Sequence, residues 1–136
     1  MEIVPVRAHW FEDVVCLWEQ AGLTRPWNDP RADLRRAVEG SLSAVLVGVS
    51  DGRPIATVMV GHDGHRGWVY YLAVTPDLQG KGHGRAMMAA AEAWLRERGA
   101  PKLNVMVRHD NEPVSGFYRA LGYRTDDVEV LSRRLD

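Results

Sequence analysis

Near the middle of the sequence, Thr75-Pro-Asp-Leu-Gln-Gly-Lys-Gly-His-Gly-Arg85 sets Gly80, Gly82 and Gly84 at alternate positions among basic side chains. Glycine lets a backbone approach a ligand with no β-carbon in the way, and these three stand just before a run of helical spacing. The first amides of a helix lack internal acceptors, and its dipole favours negative charge there, so the segment suits an anion such as a pyrophosphate. Lys81 and Arg85 add positive charge, and Gln79 adds a donor. A tight turn alone would explain a lone Gly-x-Gly. Two nucleotide motifs do not fit. A dinucleotide fold sets its glycines at the strand end with an acid about 20 residues on, whereas five residues intervene here and Lys102 stands near that place. A Walker loop needs Ser or Thr after its lysine, and Lys81 is followed by Gly82.

Gln79-Gly-Lys-Gly82-His-Gly84 resembles the Gln/Arg-x-x-Gly-x-Gly/Ala signature of the GNAT family of N-acetyltransferases. The likeness extends to Leu72-Ala-Val-Thr-Pro76 before it, and to Asn111 through Tyr118 and Leu121-Gly-Tyr123 after it, in the family's order and spacing. Pro26-Trp-Asn-Asp-Pro30 is similar to the loop of a small bacterial subgroup often labelled YpeA-like. The resemblance implies an α/β fold with a mixed sheet: an antiparallel meander, then a parallel pair that splays, with helices on both faces. It implies acetyl-CoA as co-substrate. The Leu72-Ala73-Val74 backbone would pair with pantetheine through Leu72 and Val74. Amides from Gln79, Gly80, Lys81, Gly82, His83, Gly84 and Arg85 would hold the pyrophosphate, and Asn111 would bond pantetheine near the thioester.

Amine attack on a thioester gives an oxyanion and then a thiolate, and both developing charges need donors. In the resembling family a tyrosine at the position of Tyr118 protonates the departing sulfur. By spacing alone, Tyr118 is an amphipathic core residue on a stripe with Val114 and Leu121. The base is open. A lysine acceptor must lose a proton held to about pH 10.4, and many relatives carry a glutamate on the central strand for this work. Here that strand offers Tyr70 and Tyr71 instead. A water chain ending at a carbonyl or at His109 is one route, although His109 between Arg108 and Asp110 reads as a solvated loop residue. Trp27, Asn28 and Asp29 line the acceptor side in the resemblance, and read otherwise they form a helix-start turn; Tyr70 and Tyr71 are the other acceptor candidates. His62 and His65 flank Asp63 without a third ligand at metal spacing, so a solvated turn is expected. Cys16, the single cysteine, excludes an internal disulfide and reads as an inert thiol.

The elements that must position these residues are legible from periodicity. Glu2 to Arg7 alternates as a short strand; His9 to Ala21 repeats at helical spacing before Gly22; Asp29-Pro30 opens a second helix to about Glu39. Ser43 to Ser50 and Arg53 to Gly61 read as strands joined by Asp51-Gly52, a pair suited to a type I′ turn. Trp68 to Val74 is apolar almost throughout and predicts a central strand covered on both faces. Gly84 to Arg98 is a strong helix ended by Gly99, followed by a strand over Lys102 to Val107 that can lie parallel to the central one. Asn111 caps a helix with Val114, Phe117, Tyr118 and Leu121 inward, and two last strands are expected around Tyr123 and from Val128 to Leu135.

With 136 residues, the expectation is one acyltransferase domain. Lys and Arg total 17 against 18 for Asp and Glu, so no long-range field draws in nucleic acid or an anionic membrane, and neither is an expected partner. No apolar run reaches a bilayer span and the start lacks a signal peptide's order, so a cytoplasmic protein is expected, as monomer or homodimer, acting on a small-molecule or peptide amine. The missing carboxylate keeps a second class open: a non-catalytic acyl-CoA-binding sensor.

Overall fold

A computed structural model describes residues 1–136, which form two compact units, Met1–Met106 and Val107–Asp136. The first unit is a five-stranded sheet in the order β1 (Glu2–Pro5), β2 (Ser43–Ser50), β3 (Arg53–His62), β4 (Gly67–Val74), β5 (Leu103–Val105). Neighbours are antiparallel except β4 and β5, which are parallel. The β2–β3 hairpin turns at Asp51 (φ 52°) and Gly52 (φ 76°), both in the left-handed region that Asp-Gly tolerates.

Helices cover both faces. On one, Val14, Val15 and Trp18 of α1 (Phe11–Gln20) and Leu34 and Ala37 of α2 (Pro30–Glu39) pack against Val45, Val47 and Ala73. Trp18 and Val14 are fully buried, each removal from water stabilising the sheet by about 1.5–3 kcal/mol. On the other face lies α3 (His83–Glu97), whose Leu95 fills the space that a β-carbon on Gly67 would need. Asp29 caps α2, its Oδ1 accepting from the Arg31 and Ala32 amides at 3.0 and 3.2 Å. The connecting strand β5 is shorter than the predicted Lys102 to Val107.

One expectation for β4 fails. Its second half is roofed by α1 and α2, but Tyr70 is 43% exposed, because those helices cover Tyr71 and Ala73 and stop short of the strand's start.

The second unit contains α4 (Glu112–Ala120), capped by Asn111, whose Oδ1 accepts from the Val114 amide at 3.4 Å. Gly122, at φ 96°, turns the chain so that the Tyr123 amide reaches the Tyr118 carbonyl at 3.0 Å. Of the expected stripe, Tyr118 is buried and Val114 is exposed; a unit with one helix and no strand has little to cover a whole stripe. The strands expected around Tyr123 and over Val128 to Leu135 do not form, and Val128, Leu131 and Leu135 are 72, 88 and 94% exposed. Alternation marks a segment able to be a strand, but a ladder also needs a partner edge, and this unit contains none.

Candidate active site

Strand β4 carries one residue more than its partner. Thr57 faces Ala73 while Met59 faces Tyr70, so the single residue Val58 spans both Tyr71 and Leu72. Tyr71 absorbs the insertion at φ 53°, a conformation that costs a non-glycine residue about 1–2 kcal/mol. Three contacts hold it there, and a fourth bond ties two of them together. Its ring stacks on Trp18 at 3.8 Å and 13°, and its hydroxyl donates to Asp33 Oδ2 at 2.8 Å. Its carbonyl accepts from Thr57 Oγ1 at 2.9 Å, and that hydroxyl accepts in turn from Trp18 Nε1 at 2.9 Å. Burial first, then the Asp33 carboxylate, hold the Tyr71 phenol well above its ordinary pKa.

The bulge has a consequence for the neighbouring edge. Pairing with β5 ends at Val69 opposite Val105, so β4 runs on from Tyr70 without β5 beside it. The Thr75 amide bonds Ile55 on the β3 side at 2.8 Å, and by strand alternation Leu72 and Val74 turn their main-chain groups to the opposite edge. The Val74 carbonyl accepts from Gln79 Nε2 at 3.2 Å, so Gln79 spends a donor on closing its own loop, where the sequence alone had it free for an anion.

That loop delivers the chain to α3. Gly80 (φ 77°) and Gly82 (φ 85°) are both left-handed, and a β-carbon on either would meet nothing within 4 Å. Glycine is required here by backbone angle, and the outer side of the turn is open rather than filled by the protein's own side chains. Gly82 is the N-cap, no side chain caps the helix, and the first bond into it runs from Ala86 to the Gly82 carbonyl at 3.1 Å. The amides of His83, Gly84 and Arg85 therefore precede the helical ladder, with exposed Lys81 and Arg85 beside them.

In the second unit, Tyr118 packs edge-on to Phe117 at 5.1 Å and to Tyr123 at 5.6 Å, and burial pushes its phenol up to about 12. Asn111 uses its oxygen on the α4 cap and leaves its amide nitrogen out of it.

Residues 10–123 match the acetyltransferase (GNAT) family. The chain belongs to that family. Acetyl-CoA is the co-substrate of its members. An acetyltransferase of Yersinia enterocolitica is 45% identical over 99% of this chain and 96% of its own length, and an uncharacterized N-acetyltransferase of Yersinia pestis matches to the same extent. The aminoglycoside N-acetyltransferase AAC(6')-Iy, solved with a CoA bisubstrate analogue, has the same fold at TM-score 0.84 with 16% identity, each chain covered by 97% or more.

β4 carries no side-chain carboxylate; the carboxylate that meets its Tyr71 hydroxyl is Asp33 of α2, whose other oxygen pairs with Arg36 at 3.0 Å. Sequence reading missed Asp33, Thr57 and Trp18. Contacts 38 and 39 residues apart leave no periodic trace. Tyr70 and Tyr71 diverge at the bulge, Tyr71 toward α1 and α2 and Tyr70 into an open groove with Leu42 and Trp68. Trp27 is 56% exposed in the turn before α2, and the Asn28 amide bonds the Arg25 carbonyl there at 3.1 Å. His109 and Cys16 are exposed. Asp63 accepts the His65 and Arg66 amides at 2.9 and 2.7 Å, which holds its carboxyl below the usual range and makes the His62–His65 segment a closed turn.

Proposed function

We propose that this GNAT member moves the acetyl group of acetyl-CoA to a primary amine by direct attack on the thioester, with residues 1–136 working as one catalytic domain. The observation that carries the reading is the pairing, in one unit, of an uncapped, glycine-turned N-terminus on α3 with a bulged β4 edge that β5 has left. The α3 amides suit the diphosphate, and the Leu72-Ala73-Val74 edge suits the amide-bearing pantetheine arm, which adds to it as a strand would.

The amine nitrogen forms a bond to the acetyl carbon, the carbonyl becomes an oxyanion, and collapse breaks the carbon–sulfur bond. The departing thiolate takes a proton from Tyr118, and the nitrogen gives its extra proton to water. Asn111 bonds the pantetheine. AAC(6')-Iy acts on an aminoglycoside amine, which supports a small-molecule acceptor here, with Trp27, Asn28, Tyr70 and Tyr71 on the acceptor side.

Purified protein with acetyl-CoA and a panel of amines should release free thiol. Tyr118→Phe should lower kcat about 100-fold while leaving acetyl-CoA affinity near its original value. Tight CoA binding without thiol release from any amine would instead mark the chain as an acyl-CoA sensor.

A further inference from the structure

Where α2 ends and β2 begins, the surface dips into a shallow groove, wide open to solvent, lined by Leu42, Ser43, Gly61, His62, Asp63, Trp68 and Tyr70. Trp68 and Tyr70 are two residues apart on β4 and share a face, roughly 6.6 Å of strand between them. Tyr70 stands where β4 parts from β5, one residue before the bulge, so one end of the groove meets the fork and the other ends at Asp63. Asp63 is the only carboxylate among the lining residues, and no lysine or arginine lines the groove. Its Oδ1 takes both backbone amides of the turn, whereas Oδ2 accepts only the Trp68 indole, at 3.3 Å, and an ionised carboxylate oxygen has room for a second donor. The nearby Arg66 guanidinium is turned onto the His65 carbonyl at 3.2 Å.

We infer that this groove seats the acceptor, and that it selects an amine carrying a second positive charge, held by the Asp63 carboxylate and the Trp68 ring while the reacting nitrogen lies near Tyr70. The inference rests on the acetyl-transfer reading for its reacting end. Its charge complementarity stands separately on the lining, in which Asp63 is the one carboxylate and no lysine or arginine appears, and it accords with a Tyr70 phenol raised by burial and then by the charge of Asp63. A cation over an indole face with a carboxylate beside it gains from both. The spacing fits a short diamine, whose two nitrogens span about two residues of strand.

The test compares putrescine with butylamine, the same carbon chain with and without the second ammonium, by titration calorimetry on the full chain saturated with CoA. Wild type should bind putrescine at least about fivefold more tightly. Asp63→Asn keeps an oxygen to accept the turn amides but loses the charge, and should bring the ratio near one. Leu42→Lys, at a side chain 57% exposed and so harmless to the fold, should weaken putrescine more than butylamine. Unchanged CoA affinity checks that both variants are folded. No measurable putrescine binding, no preference in wild type, or a preference that survives Asp63→Asn overturns the inference. If the preference holds but no amine yields free thiol, the groove stands and the catalytic proposal falls.

Discussion

Thr57 is the one polar residue buried in the core, and its hydroxyl is fully used, accepting from Trp18 and donating to the Tyr71 carbonyl. Thr57→Val keeps the shape and removes both bonds, stranding an indole N–H and a carbonyl. The expected loss is about 1–3 kcal/mol of unfolding free energy in urea titration, with Thr57→Ser recovering most of it. If the clamp also sets the β4 edge, the same variant raises KM for acetyl-CoA more than it lowers kcat. Tyr118 gives a second residue-level expectation, with its sign set by burial. Its phenol is lifted from an ordinary 10 to about 12, so the neutral form is favoured in the fold. That contribution to stability is complete below about pH 10 and disappears as pH rises toward about 12. As the proposed acid it keeps its proton over the same range, so kcat should show no basic limb near pH 10. A limb there that vanishes in Tyr118→Phe would contradict the placement. Tyr118 itself could be picked out in the sequence, by its family motif and apolar stripe. Thr57 could not, because a threonine in a β-rich run looks the same whether it faces solvent or a strained carbonyl.

At the level of elements, legibility followed locality. Asp29-Pro30 and Asp51-Gly52 act within two or three residues of themselves, and both the α2 start and the β2–β3 turn formed where those pairs predicted them. The run from Val128 to Leu135 has an equally good strand pattern and no strand, because a ladder depends on an edge elsewhere in the chain. The bulge is of that second kind too. Gly82 is local, and its role can be isolated: Gly82→Ala introduces no clash, since nothing lies within 4 Å, but forces alanine to φ 85°. The strain is about 1 kcal/mol or more, and relief by moving the N-cap would turn the first α3 amides away from their common target. CoA affinity measured by calorimetry should therefore fall by at least about fivefold. Alanine at Gly82 with full affinity would show that the diphosphate is held elsewhere.

For the whole molecule, near-neutrality narrows where attraction to a polyanion can come from. A net charge of −1 gives no general pull on the several negative charges of CoA, so in the proposed site any electrostatic part of the affinity would come from the α3 amides and the two side chains beside them, Lys81 and Arg85. Fixed amides at a helix N-terminus act at contact distance, where salt intervenes little, whereas exposed side chains act across solvent. Raising salt from about 0.1 M to about 1 M shortens the screening length from ~10 Å to ~3 Å. The CoA dissociation constant should then rise only about threefold, far less than for a protein that relies on a basic surface. Lys81→Ala should weaken binding at low salt and flatten this dependence, bringing the two proteins together at high salt, while Gly82→Ala should shift the whole curve and leave its slope. Parallel curves for wild type and Lys81→Ala would mean that the lysine does not face the diphosphate, leaving the backbone and Arg85 to hold it.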